Sequence, residues 1–402
     1  MWHWFMMNKV FNQIVDSILN WSGLPLWEYI VAGIVGVLFV YQMYFYIRYM
    51  AAVVRRNRFL KKHPSPQPSV WPGVSIVVSA RNEEQNLTNY LHALLEQKYP
   101  EYDVIVVNDG SLDQTQAVLE EYKMKYPRLH ITFVPVEARV TSSKKLALTL
   151  AVKASKYEYL LLTDADCVPE SNLWIQNMVQ GFLNADQTQI VLGYSPYFPT
   201  TDKINRIIRY DTLFNGLQYL GRALAGHPYM GVGRNLMYRK SMFMQQHGFA
   251  GLLQMRSGDD DLFVNKVATK NNTQVVCTPD SLSWSVPKPT FKEWIIQKRR
   301  HLSVSPHYRY GTRTMLGIEP MTRGLWYLTV ILCFVWASLP LKIVAAALFL
   351  IRFFTQMGII NKAARTLGEK RFGWIILWYD ICLPVLTAWL LATQSRHNYT
   401  RW

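Results

Sequence analysis

The sequence predicts an α/β domain, with a mainly parallel sheet and helices on both faces, plus α-helical transmembrane segments. Between residues 74 and 193, short strands alternate with amphipathic helices, and each strand is continuously apolar. Strands of that kind belong to parallel sheets that are covered on both faces. Long apolar runs before residue 50 and after residue 324 predict the membrane segments. The chain has 402 residues, 50% of them hydrophobic, which is enough for one large domain and several spans.

The charge and the cysteine content narrow the choice of partner and compartment. The net charge is +16 and the isoelectric point is about 9.6, which favours an anionic partner: a nucleotide, a nucleic acid or an acidic membrane face. The four cysteines lie far apart and form no metal-type pair. We therefore expect buried or free thiols in a reducing compartment.

The N-terminal part of the chain predicts a membrane anchor. Residues 1–28 have aromatic and aliphatic residues at helical spacing, which predicts an amphipathic helix in a membrane interface. A cleaved signal peptide is the alternative, but the stretch lacks a basic cluster and a small-residue cleavage site. Residues 29–49 are apolar and long enough to cross a ~30 Å hydrocarbon core. Residues 50–73 are a basic and Pro-rich linker, whose positive cluster marks the cytoplasmic side and leaves the N-terminus outside.

Residues 74–303 make up the predicted α/β domain. The predicted strands are 74–79, 104–108, 131–134, 160–163 and 190–193, and the predicted helices are 84–97, 114–125 and 144–155. Ligands of such sheets bind at the carboxyl ends of the strands. Three predicted strands end in polar residues, which include Glu83, Asp109 and the pair Asp164 and Asp166. We therefore expect the functional site at this edge of the sheet.

The pair Asp164 and Asp166 is the strongest candidate for a metal site. The two carboxylates stand one residue apart, directly after a buried strand, and Pro169 helps to end the loop that carries them. Hard oxygen ligands of this kind suit Mg²⁺ or Mn²⁺, held by one or two carboxylates and the phosphates of a substrate. An isolated pair of this spacing is more often a solvated turn. Its place among matching polar strand ends favours the metal site.

In order and spacing, the motifs of this domain resemble those of the family 2 inverting glycosyltransferases, which share the GT-A nucleotide-sugar-binding fold. The resemblance covers residues 74–303 and extends to the membrane synthases of cellulose, hyaluronan and poly-N-acetylglucosamine and to the ceramide glucosyltransferases. The motifs lie at residues 75–83, 106–113, 143–148, 163–166, 231–239, 258–261 and 297–301.

The resemblance implies a uridine-diphosphate sugar as donor and assigns residues to it. Ala80, Glu83 and Asp109 would hold the uridine, although Asp109 before a glycine could also be a simple turn residue. Lys144 would meet the base or the diphosphate, whereas its neighbour Lys145 is expected to be solvated. The remaining donor and metal ligands would be Asp164, Asp166, Gln297 and Arg300, with Mg²⁺ or Mn²⁺ neutralising the leaving group.

An inverting transfer also needs a base that deprotonates the acceptor hydroxyl. The run Gly-Asp-Asp-Asp at 258–261 precedes a predicted helix at 262–270. Similarity to the hyaluronan-type motif makes Asp260 the base, and similarity to the Glu-Asp-x-Asp-Leu form makes it Asp259. A third reading treats the acidic run as a helix cap.

The residues around the acceptor follow from the same resemblance, with one departure. Gly233, Arg234, Asn235 and His301 would contact the acceptor. Processive synthases carry Gln-x-x-Arg-Trp where this chain has Gln297 to His301, so His301 replaces a tryptophan that stacks on the acceptor sugar. Phosphate binding through Arg300 should survive, whereas polymerisation is put in doubt. The basic residues here could also form a membrane-surface patch.

A second membrane region follows the domain. Residues 304–324 are predicted to be an interfacial segment and residues 372–392 a final span. Residues 325–360 are too long for one span, at about 54 Å, and a hairpin that turns near Pro340 and Lys342 resolves this, although it leaves Arg352 inside a span. Four spans are predicted in total, with three as the alternative.

We therefore predict an integral membrane protein with its catalytic domain in the cytoplasm, most simply in a bacterial inner membrane. It would transfer a sugar from a UDP-sugar to a lipid-linked or growing saccharide acceptor, in contact with membrane lipids and without a nucleic acid partner. A processive synthase that exports its product is the alternative. An inactive scaffold or a transporter is a more distant one, and the intact acidic motifs count against it.

Overall fold

A computed structural model describes residues 24–134, 143–253, 255 and 257–393, together with Met6. The interfacial helix predicted for residues 1–28 lies almost entirely outside these described residues. The first described helix is α1 (Leu26–Phe45), which continues through a π-helical turn (Tyr46–Met50) into α2 (Ala52–Lys62). The predicted linker is thus helical up to Lys62 and irregular only after it.

The centre of the domain is a mainly parallel sheet, as predicted. It has seven strands in the order β3-β2-β1-β4-β7-β6-β8. Within it, β7 runs antiparallel to both of its neighbours. The strands are β1 (Val74–Ala80), β2 (Tyr102–Asn108), β3 (Leu129–Phe133), β4 (Tyr159–Asp164), β6 (Ile190–Leu192), β7 (Leu236–Arg239) and β8 (Thr273–Val275); β5 (Cys167–Pro169) pairs instead with β9 (Ser283–Ser285).

Both faces of the sheet are buried, which explains why its strands are continuously apolar. Successive side chains of a strand point to opposite faces. Accordingly, Val77 and Ile105 belong to one hydrophobic cluster, and Val78 and Val106 belong to the cluster on the other face. The helices that cover the sheet include the three that the sequence predicts: α3 (Glu84–Leu95), α4 (Thr115–Lys125) and α5 (Ser143–Ala154).

The second half of the domain adds helices around the site and toward the membrane anchor. They are α6 (Trp174–Leu183), α7 (Lys203–Leu224), α8 (Lys240–Gln245), α9 (Asp261–Val267) and α10 (Phe291–Leu302). α7 packs against the π-helical turn so closely that a Cβ at Gly221 would lie 2.1 Å from the carbonyl oxygen of Tyr49. Only glycine allows this approach, which fixes the anchor to the domain.

Three long helices occupy the C-terminal part of the chain: α11 (Tyr310–Trp336), α12 (Leu339–Thr366) and α13 (Ile375–Ala392). The first two overlap the predicted hairpin at 325–360, and α13 overlaps the predicted span at 372–392. The chain turns at residues 337–338, before the predicted turn, because Pro340 sits in the first turn of α12, where its missing N–H is tolerated. Of the interfacial segment predicted at 304–324, residues 310–324 are helical and continuous with the rest of α11.

The described residues contain four helical segments that are long and apolar enough to cross a membrane: Leu26–Lys62, α11, α12 and α13. Only three of them form a common bundle. Its core contains Val35 of α1, Trp326 and Val330 of α11, and Leu341 and Ala345 of α12, and no residue of α13. At the far end of this bundle, Ser338 donates a hydrogen bond from its backbone N–H to Glu28 at 3.2 Å.

The fourth helix, α13, lies across the domain end of the bundle. Near its start, the ring of Tyr379 packs 5.0 Å from that of Tyr210 in α7. Near its end, Arg299 of α10 lies 5.3 Å over the ring of Trp389 and donates a hydrogen bond to Thr393. Both ends of the helix therefore contact the domain. The predicted last span at 372–392 coincides with α13 in position and apolar character.

A polar cluster joins α13 to the bundle and accounts for the charge predicted inside a span. Asp380 lies 2.9 Å from Arg323 and 3.0 Å from Arg352, and it accepts a hydrogen bond from Tyr327 at 2.6 Å. Arg352 also donates to Gln42 of α1 at 2.8 Å. All five side chains are buried or half-buried. Arg352 is thus neutralised by a carboxylate, as a buried charge requires.

Candidate active site

The candidate site is built on the carboxyl ends of β1, β2 and β4. Strand register places the end of β1 beside the end of β2 and pairs Ser79 with Asp164. Glu83, Asp109 and Asp164 therefore line one cavity of about 890 Å³. The sequence-based expectation that the polar strand ends meet at one edge of the sheet agrees with this arrangement.

The β1 and β2 ends hold each other in place. Glu83 accepts a hydrogen bond from Asn86 at 2.6 Å, and its partial burial raises its pKa. The carboxylate of Asp109 is buried and lies 3.9 Å from the guanidinium of Arg81. Ala80 is buried and does not line the cavity. Its carbonyl accepts the backbone N–H of Asp109 at 2.8 Å, so its place is behind the site.

Asp164 and Asp166 lie together in the cavity wall. Asp166 accepts a hydrogen bond from Ser285 of β9 at 3.3 Å. Burial, and then the charge of Asp164, raise the pKa of Asp166. Across the described ranges, no three His, Cys, Asp or Glu side chains are grouped to hold a metal ion. The pair fits an ion of the Mg²⁺ type that takes its other ligands from phosphate and water.

Lys144 connects the two acidic parts of the site. Its ammonium nitrogen lies 3.0 Å from Asp164 Oδ1 and 3.3 Å from Asp259 Oδ2. Burial opposes the charge of Lys144, but the two carboxylates outweigh this effect and raise its pKa. A positive charge thus lies where the strand-end carboxylates face the acidic loop, defined here as Met255 and residues 257–260.

The neighbouring Lys145 is not solvated, contrary to the sequence-based expectation. Its side chain is 0% exposed. The ammonium group donates to the backbone carbonyls of Met255 at 2.5 Å and Ser257 at 2.8 Å, both in the acidic loop. Adjacent residues on a helix point about 100° apart, so the two lysines at the start of α5 reach different targets.

The three acids at 259–261 have three different environments. Asp259 faces the cavity, and its pKa is lowered because Lys144 outweighs the effect of burial. Asp260 accepts the backbone N–H of Gly233 at 2.6 Å and that of Asp261 at 2.8 Å, one on each carboxylate oxygen. Asp260 therefore caps α9 and links it to the loop at Gly233.

Asp261 is buried beneath the loop and accepts a hydrogen bond from Tyr308 at 2.9 Å. Burial, and then the charge of Asp260, raise the pKa of Asp261 to about 8. The cap reading of the acidic run thus applies to Asp260, while Asp261 is held protonated at neutral pH.

The predicted acceptor residues at 233–235 do not all reach the cavity. Arg234 lines it and lies 4.4 Å over the ring of Tyr197. Asn235 is fully buried, donates to the carbonyls of Tyr194 and Ser281 at 2.8 Å each, and accepts from Trp174 at 3.1 Å. Its amide is used inside the protein, so the structure gives it a structural role in place of the predicted acceptor contact.

Gly233 also contributes through its backbone instead of the cavity surface. A Cβ at this position would lie 3.3 Å from the carboxylate of Asp260, whose oxygen its N–H binds. The motif at 231–239 therefore aligns the acidic loop with the end of β4, which the sequence alone could not show.

Helix α10 forms another wall of the cavity with Gln297, Arg300 and His301. Gln297 donates to the hydroxyl of Tyr197 at 3.1 Å. His301 is exposed on the cavity surface, and partial desolvation there, with the charges of Arg300 and Arg234, lowers its pKa. His301 is therefore a neutral imidazole at physiological pH.

The cavity continues beyond the predicted residues toward the membrane anchor. Its wall there combines residues of four helices, α7, α10, α11 and α13, and Glu319 and Arg323 lie at its inner end. Sequence reasoning missed these residues because no motif marks them. They are Asp211, Asn215, Gln218, Trp294, Lys298, Arg313, Leu316, Pro320, Leu383, Pro384, Thr387 and Leu391.

The arrangement of carboxylates at the ends of a mainly parallel sheet defines the GT-A class of nucleotide-sugar transferases. Two family models match the sequence: one described as Glycosyl transferase family 2 over residues 75–246, and one described as Glycosyl transferase family group 2 over residues 165–392. The second match covers more than half of the chain. The chain belongs to the family 2 glycosyltransferases.

Individual relatives match smaller parts of the chain. The poly-beta-1,6-N-acetyl-D-glucosamine synthase of Staphylococcus epidermidis is 33% identical over 96 residues, which is 24% of this chain and 22% of the synthase. The Bacillus subtilis protein named Probable glycosyltransferase YdaM is 26% identical over 239 residues, 57% of this chain and 54% of that protein. The matches thus span about half of these relatives, or less.

The fold resembles that of a solved mannosyltransferase. PcManGT from Pyrobaculum calidifontis, in complex with GDP-Man and Mn²⁺, has a TM-score of 0.52 and 19% sequence identity, covering 83% of this chain and 98% of that chain. At this identity the likeness supports the fold and leaves the donor open.

Proposed function

We propose that this enzyme transfers a sugar, with inversion, from a UDP-sugar to a lipid-linked or growing saccharide acceptor at the cytoplasmic face of a bacterial inner membrane. One observation carries the proposal. A single cavity contains the strand-end carboxylates, Lys144 and the acidic loop, and it continues to helices that pack on the membrane anchor. Family membership supports the sugar transfer itself.

The donor would bind at the β1 and β2 ends. Glu83 and Asp109 offer carboxylate oxygens to the hydroxyl and N–H groups of a uridine. Lys144, Gln297 and Arg300 line the part of the cavity that would hold the diphosphate. The net charge of +16 further favours an anionic donor.

Asp166 and Asp164 would hold Mg²⁺ or Mn²⁺ with the diphosphate. Burial, and then the charge of Asp164, raise the pKa of Asp166, and a bound cation would offset both effects. The ion would neutralise the charge that develops on the leaving nucleoside diphosphate. When donor and metal arrive, Lys144 would exchange its contact with Asp164 for one with phosphate.

Of the two candidates for the base, the contacts favour Asp259. Both carboxylate oxygens of Asp260 already accept backbone N–H groups. Both residues line the cavity, but Lys144 favours the ionised form of Asp259, the form that accepts a proton. In the transfer, Asp259 would take the acceptor proton while the acceptor oxygen bonds to the sugar C1 and the bond from C1 to the phosphate oxygen breaks.

A processive synthase is the second candidate function. The polar side chains of Asp211, Asn215, Gln218 and Thr387 line the cavity beyond the acidic loop, where a saccharide longer than one unit could lie. The partial match to a poly-N-acetylglucosamine synthase agrees with this alternative. The neutral imidazole of His301, smaller than the tryptophan of processive enzymes, favours a single transfer.

The test is turnover of a panel of UDP- and GDP-sugars, UDP-N-acetylglucosamine included, by the full chain purified in detergent. Released nucleoside diphosphate is measured with membrane lipid extract or oligosaccharide as acceptor. We expect turnover with a UDP-sugar and Mg²⁺ or Mn²⁺, and none for Asp166→Ala, because the variant lacks a metal ligand. Product length by mass spectrometry separates single transfer from polymerisation.

The matched control is Asp186→Ala, which removes an exposed carboxylate between α6 and β6. It should keep the wild-type rate and metal dependence. Near wild-type turnover by Asp166→Ala in EDTA would show the metal assignment to be wrong. Release of GDP in preference to UDP would overturn the donor assignment.

A further inference from the structure

Lys145 is a fully buried lysine, and it lies next to the lysine that faces the donor site. A lysine side chain is almost never fully buried unless it is paired. Lys145 is 0% exposed, and its ammonium group donates to two backbone carbonyls instead of a carboxylate. Burial lowers its pKa, and the nearby carboxylates of Asp259 and Asp261 oppose this effect. Burying an ammonium group costs free energy of folding, so we expect Lys145 to have a role in the site.

The two carbonyls belong to the acidic loop. Ser257 precedes Asp259 by two residues, and Gly258 lies between them with a φ of +91°. A side chain at Gly258 would be strained by that φ, and its Cβ would lie 2.6 Å from Leu262. The backbone thus turns sharply between a residue held by Lys145 and a residue held by Lys144.

Consecutive lysines therefore hold both sides of one turn. Lys144 lies 3.3 Å from the carboxylate of Asp259, and Lys145 lies 2.8 Å from the carbonyl of Ser257. Both start from the first turn of α5, which packs against β1 and β2. Through the two lysines, the acidic loop is held in a fixed position relative to β1 and β2, the strands that Glu83 and Asp109 follow.

We propose that Lys145 is a positioning residue that fixes the acidic loop, and with it the carboxylate of Asp259, opposite the donor. The proposal rests on the proposed function, in which Asp259 deprotonates the acceptor. A shift of about 1 Å in such a group can cost on the order of a hundredfold in rate. Donor binding should be spared, because the donor is held by other residues.

The experiment compares Lys145→Met with Lys144→Met in the full chain, with UDP as the binding probe. Methionine keeps the length of the buried chain but leaves both carbonyls without their donor. We expect kcat per UDP-binding site to fall at least about tenfold for Lys145→Met, with UDP affinity and donor KM within about twofold of wild type. Lys144→Met should weaken UDP binding.

Two further variants separate positioning from general destabilisation. Lys145→Arg retains donors for both carbonyls and should recover much of the kcat. Lys153→Met, at an exposed lysine in the last turn of the same helix, should match wild type. Should Lys145→Met not fold, Gly258→Ala distorts the same turn without touching the lysine, and it should show the same loss of kcat with UDP affinity kept.

The outcomes are distinguishable. Wild-type kcat in Lys145→Met, or a loss of UDP affinity as large as in Lys144→Met, overturns the positioning role while the proposed function stands. No turnover of any UDP-sugar by the wild type means that the proposed function itself has failed.

Discussion

At the scale of single residues, the acidic loop shows how adjacent, chemically identical side chains take different roles. The carboxylate of Asp259 meets an ammonium group, that of Asp260 meets two backbone N–H groups, and that of Asp261 meets a tyrosine hydroxyl. The ammonium group favours the ionised form of Asp259, the two N–H groups make Asp260 a helix cap, and Asp261 has a raised pKa in its buried position. Sequence similarity could not choose between Asp259 and Asp260, because the choice depends on these contacts.

Asp259→Asn tests the base directly. Asparagine keeps the size of the side chain but cannot accept the acceptor proton, so turnover should fall by about 10²-fold or more. UDP affinity should change little. Asp260→Asn should instead lower the melting temperature, because the amide NH₂ would face a backbone N–H donor. Initial rates, calorimetry with UDP and thermal melting of both variants provide the measurements.

The opposite pattern would move the base by one residue. If Asp259→Asn retained most of its activity while Asp260→Asn lost it at an unchanged melting temperature, Asp260 would be the base. Activity in both variants would leave the acidic run as a helix cap.

Asp261 should make stability depend on pH. Its pKa is about 8 in the folded protein and about 3.9 in an unfolded chain. The folded state thus holds a proton that the unfolded state loses, and the resulting stabilisation is full below the unfolded pKa and disappears as pH rises through about 8. We expect the melting temperature to fall between pH 5 and pH 9, and Asp261→Asn to flatten this dependence. Asp186→Asn should leave it unchanged.

At the scale of elements, apolar patterning predicted five of the seven strands of the sheet and three of its covering helices, but not β7 or β8. Local polarity predicted three strand ends that line the cavity. It did not predict α7, whose 22 residues include both charged and aromatic side chains buried against other helices. Nor did it predict that Asn235 is enclosed or that Lys145 is buried. Those outcomes depend on partners far apart in the sequence, such as Trp174 and Ser257.

The patterning also could not tell which apolar helix crosses a membrane. The exposed face of α13 contains Trp378, Val385 and Trp389, with Trp374 exposed just before the helix, while Asp380 lies on the buried face. Tryptophans are enriched at membrane–water interfaces. Length and mean hydropathy identify α13 as a candidate span, and they carry no information on its contacts with the domain.

The polar cluster around Asp380 should be a strong stabilising element. Arg352→Met removes one of its two cations, leaving Asp380 and Gln42 without that partner. Breaking a buried pair costs about 3–5 kcal/mol, so the melting temperature in detergent should drop by roughly 5 °C or more. Lys362→Met, at an exposed lysine of the same helix, is the control and should change it little. If Arg352→Met melted at the same temperature as the wild type, the stabilising role of the cluster would be contradicted.

At the scale of the whole molecule, one cavity extends from the strand ends of the sheet domain to the long apolar helices. Its outer part carries the strand-end acids, and its inner end reaches Glu319 and Arg323 at the domain end of the three-helix bundle. Under the proposed function, a lipid-linked acceptor would approach from the side of α11 and α13, and the donor would enter from the sheet. This geometry requires the helix α13 to remain beside the domain.

The topology of the chain tests that requirement. Because both ends of α13 contact domain helices, a reporter fused after Trp402 should lie on the same side as a reporter fused after Arg371. A reporter fused after Ala337, beside Glu28 at the far end of the bundle, should lie on the opposite side. Paired alkaline phosphatase and fluorescent protein fusions measure this.

With the domain in the cytoplasm, Trp402 should give fluorescence without phosphatase activity. Phosphatase activity at Trp402 together with a cytoplasmic signal at Arg371 would show that α13 crosses the membrane, and it would restore four spans.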